Sequence, residues 1–153
     1  MVACVPWGAL IELAEASTVP VTVHLDHAES TDLCREAVEL GFTSIMYDGS
    51  KLPDAQNRET TAEITAFAHE HGVSVEAELG EVGGKNGVHD PSARTNPEDA
   101  AQFVADTGVD LLAVAVGSSH AMATREAVLD NQLITAIHEL VPVPLVLHGS
   151  SGV

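Results

Sequence analysis

With 153 residues, 45% of them apolar and 19% charged, the chain holds enough material for one globular domain with a core and is too apolar for a disordered segment. Six Lys and Arg against 23 Asp and Glu give a net charge of −17, which excludes a nucleic-acid surface and an anionic-membrane surface, since both need a basic face. An anionic small substrate stays open, provided that a metal, backbone N–H groups or helix N-termini meet its charge.

From the N-terminus, residues 9–16 read as a short helix, and short apolar runs then alternate with longer helical patterns. The runs are 21–25 (VTVHL), 44–47 (SIMY), 73–79 (VSVEAEL), 111–116 (LLAVAV) and 144–147 (PLVL), rich in Val, Ile and Leu. Strands of a parallel sheet covered on both faces read this way. A helix is predicted over 31–40, after a Ser30/Thr31 cap and before Gly41. Residues 55–71 form a second, stopped by Gly72, and 96–107 a third, opened by Asn96-Pro97 and closed by Gly108. Residues 130–140 form the last, ahead of Val141-Pro142. The alternation predicts an α/β fold with right-handed crossovers. A barrel and an open doubly wound sheet both fit it. No apolar run reaches the roughly 18 residues of a membrane span, and no basic stretch precedes an apolar one at the N-terminus, so neither a span nor a secretory signal is expected. Cys4 and Cys34 lack metal-ligand spacing, and reduced thiols in the cytoplasm are the plainer reading.

Polar and small residues collect where the strands end: Asp26-His27, Asp48-Gly49, Glu78-Leu79-Gly80, Gly117-Ser118-Ser119-His120 and His148-Gly149-Ser150-Ser151. In a parallel α/β fold these ends share one edge, the edge that carries chemistry. His27, His120 and His148 come from three different strand ends, and three neutral imidazoles suit zinc while leaving a coordination position open. His69, His71 and His138 fall on helices and are expected to be bystanders. Asp26 beside His27 suits general acid–base work, or else orients a ligand. Asp48 and Glu78 suit a second cation, or else structural ion pairs. Alternation along the third strand puts Glu76 on the same face as Glu78, deeper in the sheet. The glycine-rich stretch 80–87 (GEVGGKNG) matches neither dinucleotide nor P-loop patterns and reads as a loop near the site. Gly149–Gly152 reads as a phosphate cradle of backbone N–H groups or as a plain turn.

HLDH (24–27), SIMYDGS (44–50), VEAELG (75–80), TGVDLLAVAVGSSH (107–120) and VPLVLHGSSG (143–152), five motifs in order, resemble the class II fructose-bisphosphate and tagatose-bisphosphate aldolases from about Val19 to the last residue. The resemblance implies a (β/α)8 TIM barrel that splits a ketose bisphosphate into dihydroxyacetone phosphate and glyceraldehyde phosphate, in carbohydrate metabolism. It implies Asp26 as the proton donor in carbon–carbon cleavage, and His27, His120 and His148 as ligands of a catalytic zinc. Asp48 and Glu78 match the family's second-cation positions, and Gly149, Ser150 and Ser151 fall in the segment that contacts the phosphate. Homo-oligomers are implied as well. Two positions depart from the family pattern: Lys85-Asn86 where the loop usually turns acidic, and Ala121 where glycine usually follows the histidine.

Family members have two strands before HLDH and one after LHGSSG. One domain over residues 1–153 is therefore expected, a partial barrel of about five parallel strands truncated at both ends. Two alternatives stay open: a catalytically inactive zinc-binding fragment, and another metal-dependent lyase or isomerase for phosphorylated sugars.

Overall fold

A computed structural model describes residues 7–79, 94–120, 126–150 and 153. Cys4, the glycine-rich loop with Lys85 and Asn86, Ala121, Ser151 and Gly152 lie outside these. The described elements run α1 (Trp7–Glu15), β1 (His24–Ala28), α2 (Thr31–Leu40), β2 (Ser44–Tyr47), α3 (Asp54–Glu70), β3 (Ser74–Leu79), α4 (Pro97–Thr107), β4 (Leu111–Val114), α5 (Asn131–Leu140) and β5 (Leu145–Val146). The five strands form one parallel sheet in the order β1-β2-β3-β4-β5.

Helix ends follow from local chemistry. The Ser30 hydroxyl accepts from Leu33 N–H at the start of α2, and Gly41 ends that helix in the left-handed region, φ 97°. The Asn96 side chain accepts from Asp99 N–H ahead of Pro97, and Asp130 does the same for Leu133 N–H, so both cap a helix from outside it.

Two strands differ from the sequence reading by more than one residue at an end, while β3 is shorter than read by one residue at its start and β5 by one at each end. The first was expected over 21–25 but pairs over His24–Ala28, because its partner β2 begins only at Ser44, which lies opposite His24. Asp26 and His27 therefore sit inside the strand, where the register slips between Leu25 and Ala28. The fourth was expected to reach residue 116, but the ladder stops at Val114. Ala115 exchanges bonds with Thr95 instead: its N–H donates to Thr95 Oγ1 at 2.8 Å and its carbonyl accepts from Thr95 N–H at 3.0 Å.

The sheet is strongly curved. Four inter-strand steps of about 4.8 Å would hold residues of β1 and the β5 end roughly 19 Å apart in a flat sheet. His27 on β1 and His148 after β5 approach to 3.0 Å. The strand order thus wraps around a concave inner side, as in a barrel wall. On the outer side Leu25, Ile45, Val75, Leu112 and Val114 pack with Cys34, Ile64, Phe103 and Ile137 of the helices in one apolar core. Among the described residues no helix is long and apolar enough to cross a membrane.

Candidate metal and acid–base site

Curvature brings His27, His120 and His148 together, with one ring nitrogen of each within 4.8 Å of the others. Their ring centroids lie 4.4 to 5.7 Å apart. His27 owes its direction to a strained backbone: among the described residues it is the non-glycine with positive φ, 51°. Gly149 has a second structural role, close approach. Its φ is 66°, and a Cβ there would lie 2.4 Å from Ser119 C and 2.7 Å from His120 N. The β5 end and the β4 end are therefore pressed backbone to backbone beside His148 and His120. Ser150 is exposed.

Carboxylates surround the imidazoles. A carboxylate can only accept, so His27 Nδ1–H donates to Asp48 Oδ2 at 2.9 Å. The other Asp48 oxygen accepts from Ser50 N–H at 3.2 Å and Ser50 Oγ–H at 2.6 Å. Glu78 is fully buried and places Oε2 3.9 Å from His27 Nδ1. Its backbone carbonyl accepts from Asn57 Nδ2–H at 3.1 Å. His148 Nε2–H donates to Glu76 Oε1 at 2.7 Å. That bond holds the imidazole above its ordinary pKa against desolvation, helped by the charges of Glu76, Asp26 and Glu78. Asp26 occupies the rim, its side chain 61% exposed and 3.9 Å from His27 Nε2.

The donor set fits a divalent cation. With Nδ1–H of His27 and Nε2–H of His148 committed to carboxylates, the facing nitrogens, His27 Nε2 and His148 Nδ1, lie 3.0 Å apart, a contact that one proton bridges when either ring is charged. When both rings are neutral, those two nitrogens present lone pairs toward a common point, as ligands of a tetrahedral zinc would. A second set, His27 with Asp48 and Glu78, also converges within 4.8 Å.

The structure thus gathers the three predicted histidines with Asp48 and Glu78, keeps Asp26 at the edge, and sets Gly149 against the backbone of the β4 end. Ser50, Asn57 and His24 were not singled out in the sequence, and Glu76 carried no role there. Their positions depend on which strands meet across the curve. The signal available was alternation in VSVEAEL, which marks Glu76 as inward-facing.

A family model described as fructose-bisphosphate aldolase class-II matches residues 4–153. The chain is 45% identical over 137 residues to the 6-phospho-5-dehydro-2-deoxy-D-gluconate aldolase of Shouchella clausii, covering 89% of this chain and 47% of that protein. It is 44% identical over 140 residues to the fructose-bisphosphate aldolase of Giardia intestinalis, covering 88% of this chain and 43% of that one. Its fold matches the crystal structure of the YdjI aldolase from Escherichia coli K12 with a TM-score of 0.84 and 37% identity, over 96% of this chain and 52% of that one. The chain spans about half the length of the curated relatives it matches.

Proposed function

We propose, from the premise that this chain belongs to the class-II fructose-bisphosphate aldolase family, that its five strand ends carry the metal and acid–base part of an aldolase site. The reaction is reversible cleavage of a ketose bisphosphate, fructose or tagatose bisphosphate, to dihydroxyacetone phosphate and glyceraldehyde phosphate. A relative named for a phosphorylated dehydro-deoxy-gluconate supports the broader class of phosphorylated keto compounds. The observation that carries the reading is the convergence of the His27, His120 and His148 ring nitrogens within 4.8 Å of one another inside a ring of carboxylates.

His27, His120 and His148 would hold zinc, with Asp48 and Glu78 available to a second divalent cation. When bound, zinc supplies Lewis-acid stabilisation of the negative charge that develops on oxygen as the carbon–carbon bond breaks. Asp26, at the rim 3.9 Å from His27 Nε2, moves the proton. Cleavage needs a base at the hydroxyl of the carbon that becomes the aldehyde, so Asp26 takes that proton in cleavage and donates it only in condensation, the reverse of the direction the family resemblance implied. Asp48 holds the His27 ring through its Nδ1–H. Gly149, Ser150 and Ser151 supply backbone and hydroxyl donors for the substrate phosphate. The concave sheet supports a place for these strands in an eight-stranded barrel; the cytoplasmic, homo-oligomeric state is carried over from the sequence reading alone.

The second reading is a form that binds zinc through the three histidines without turnover, which the converging ring nitrogens alone also accommodate. Asp26→Ala separates the roles within the active protein. Turnover should fall about 10²–10⁴-fold with zinc content unchanged. Parallel loss of metal and activity would make Asp26 an orienting group instead. Zinc retained at full stoichiometry by a wild-type chain without aldol cleavage would establish the second reading.

A further inference from the structure

Glu76 stands in the middle of the sheet, on β3, with Met46 of β2 and Leu111 of β4 as its register neighbours. It is 5% exposed. Among the described residues its carboxylate meets two imidazoles and no lysine or arginine. An ionised carboxylate in such a place is costly, so its partners define its use. Oε1 accepts from His148 Nε2–H at 2.7 Å. Oε2 lies 3.8 Å from His24 Nε2, and His24 Nδ1 lies 2.8 Å from Ser44 Oγ. Ser44 and His24, opposite one another on β2 and β1, thus reach the second oxygen of the carboxylate, Ser44 through the His24 ring.

A neutral imidazole has one N–H. If Nε2 carries it, Nδ1 presents the lone pair, and His148 Nδ1 is the atom that faces His27 Nε2 at 3.0 Å. His27 is set the opposite way round: Nδ1–H goes to Asp48, leaving Nε2. When both rings are neutral, the two carboxylates therefore favour opposite tautomers, His27 with the proton on Nδ1 and His148 with it on Nε2, so that the lone pairs converge.

We infer that Glu76 is a positioning residue: from the middle strand it fixes His148, which arrives from the far end of the sheet, as the Nε2–H tautomer with Nδ1 aimed at the three-histidine centre. For the neutral ring the tautomer follows from the 2.7 Å hydrogen bond to Glu76; its consequence for metal affinity rests on the zinc reading given above. A role limited to filling the inner side of the sheet predicts that any side chain of the same volume serves. The tautomer role predicts that charge and acceptor matter.

Two measurements on Glu76→Gln and Glu76→Leu test this. The first is zinc affinity by competition with a chromophoric chelator. Loss of an orienting partner typically weakens metal binding about 10–100-fold, so Glu76→Gln should lie near the lower end and Glu76→Leu near the upper. The second is the ¹⁵N shift pattern of the His148 ring in zinc-free protein, on the alkaline side of its titration. Wild type should show the proton on Nε2, and Glu76→Leu should lose that preference. Should Glu76→Leu fail to fold, Glu76→Gln carries the test, since it keeps the volume and loses the charge. Wild-type tautomer and wild-type zinc affinity in the folded variant would overturn the inference. A wild-type protein that shows the Nε2–H tautomer but binds no zinc would overturn the metal reading and leave the Glu76 assignment standing.

Discussion

On β3, Val75 and Ala77 lie in the apolar core against the helices, while Glu76 and Glu78 on the inner side of the same strand are 5% and 0% exposed. The two faces are equally dry and chemically opposite. Outside, Ile45, Val75, Leu112 and Val114 meet Ile64, Phe103 and Ile137, and each contact removes apolar surface from water. Inside, carboxylates of β2 and β3 meet imidazoles from β1 and the β4 and β5 ends, and each contact keeps a charge or lone pair out of water at a cost. Burial alone therefore says little about role in this chain. The outer face makes the fold stable, and the inner face uses part of that stability to hold polar groups at set distances.

The sharpest way to break the division is at Gly149, where the fold and the site depend on the same atom spacing. Gly149→Ala adds a Cβ at 2.4 Å from Ser119 C on a backbone with φ 66°. Left-handed strain and overpacking against backbone together should cost about 3–5 kcal/mol. His120 must also move away from His148, so zinc affinity should fall with stability. Chemical denaturation and zinc competition on the same preparation check this. Full zinc affinity in a folded Gly149→Ala protein would show that the β4 and β5 ends do not fix the histidine spacing.

Leu112→Ala should separate the faces. Leu112 is fully buried on the outer side, and truncation of such a side chain typically costs about 2–5 kcal/mol. Its side chain belongs to the apolar core on the opposite side of the sheet from the histidines, so zinc affinity of the folded protein should be unchanged within about the error of additivity. Urea unfolding gives the first quantity and competition titration the second. A drop in affinity matching the drop in stability would mean that the outer core transmits its packing directly to the inner side.

The outer face was the more legible of the two in the sequence. The helix over Thr31–Leu40 and the strand over Ser44–Tyr47 match the reading to the residue, because caps, terminal glycines and apolar runs are local signals. Strand ends carrying histidine were legible for the same reason. Three features were not. The boundaries of β1 and β4 depend on where partner strands start and on Thr95 taking over the Ala115 pairing. The left-handed backbone at His27 depends on the register slip beside it. The role of Glu76 depends on a partner 72 positions away, brought to it by sheet curvature. Distance along the chain carries no trace of that curvature.

The smallest expected effect tests the cost of the inner face. Glu78 and Asp48 each place a carboxylate oxygen within 4.8 Å of the other and of a His27 nitrogen. Like charges at such a distance repel by an amount on the order of a few kcal/mol at an effective dielectric near 20, before neighbouring imidazoles offset it. A bound dication reverses the sign of that environment, since each carboxylate then attracts. Glu78→Gln keeps the shape and removes the charge. In the zinc-free protein it should raise stability by about 1 kcal/mol, which for a chain of this size raises Tm by about 2–4 °C. In the presence of zinc the same substitution should weaken binding by about tenfold, the lower range for loss of a group that tunes a metal site. The two readouts move in opposite directions only if the inner carboxylates are held for a cation. Melting curves of chelator-treated protein, paired with zinc competition, distinguish this from a structural carboxylate, whose replacement would lower Tm and leave affinity untouched.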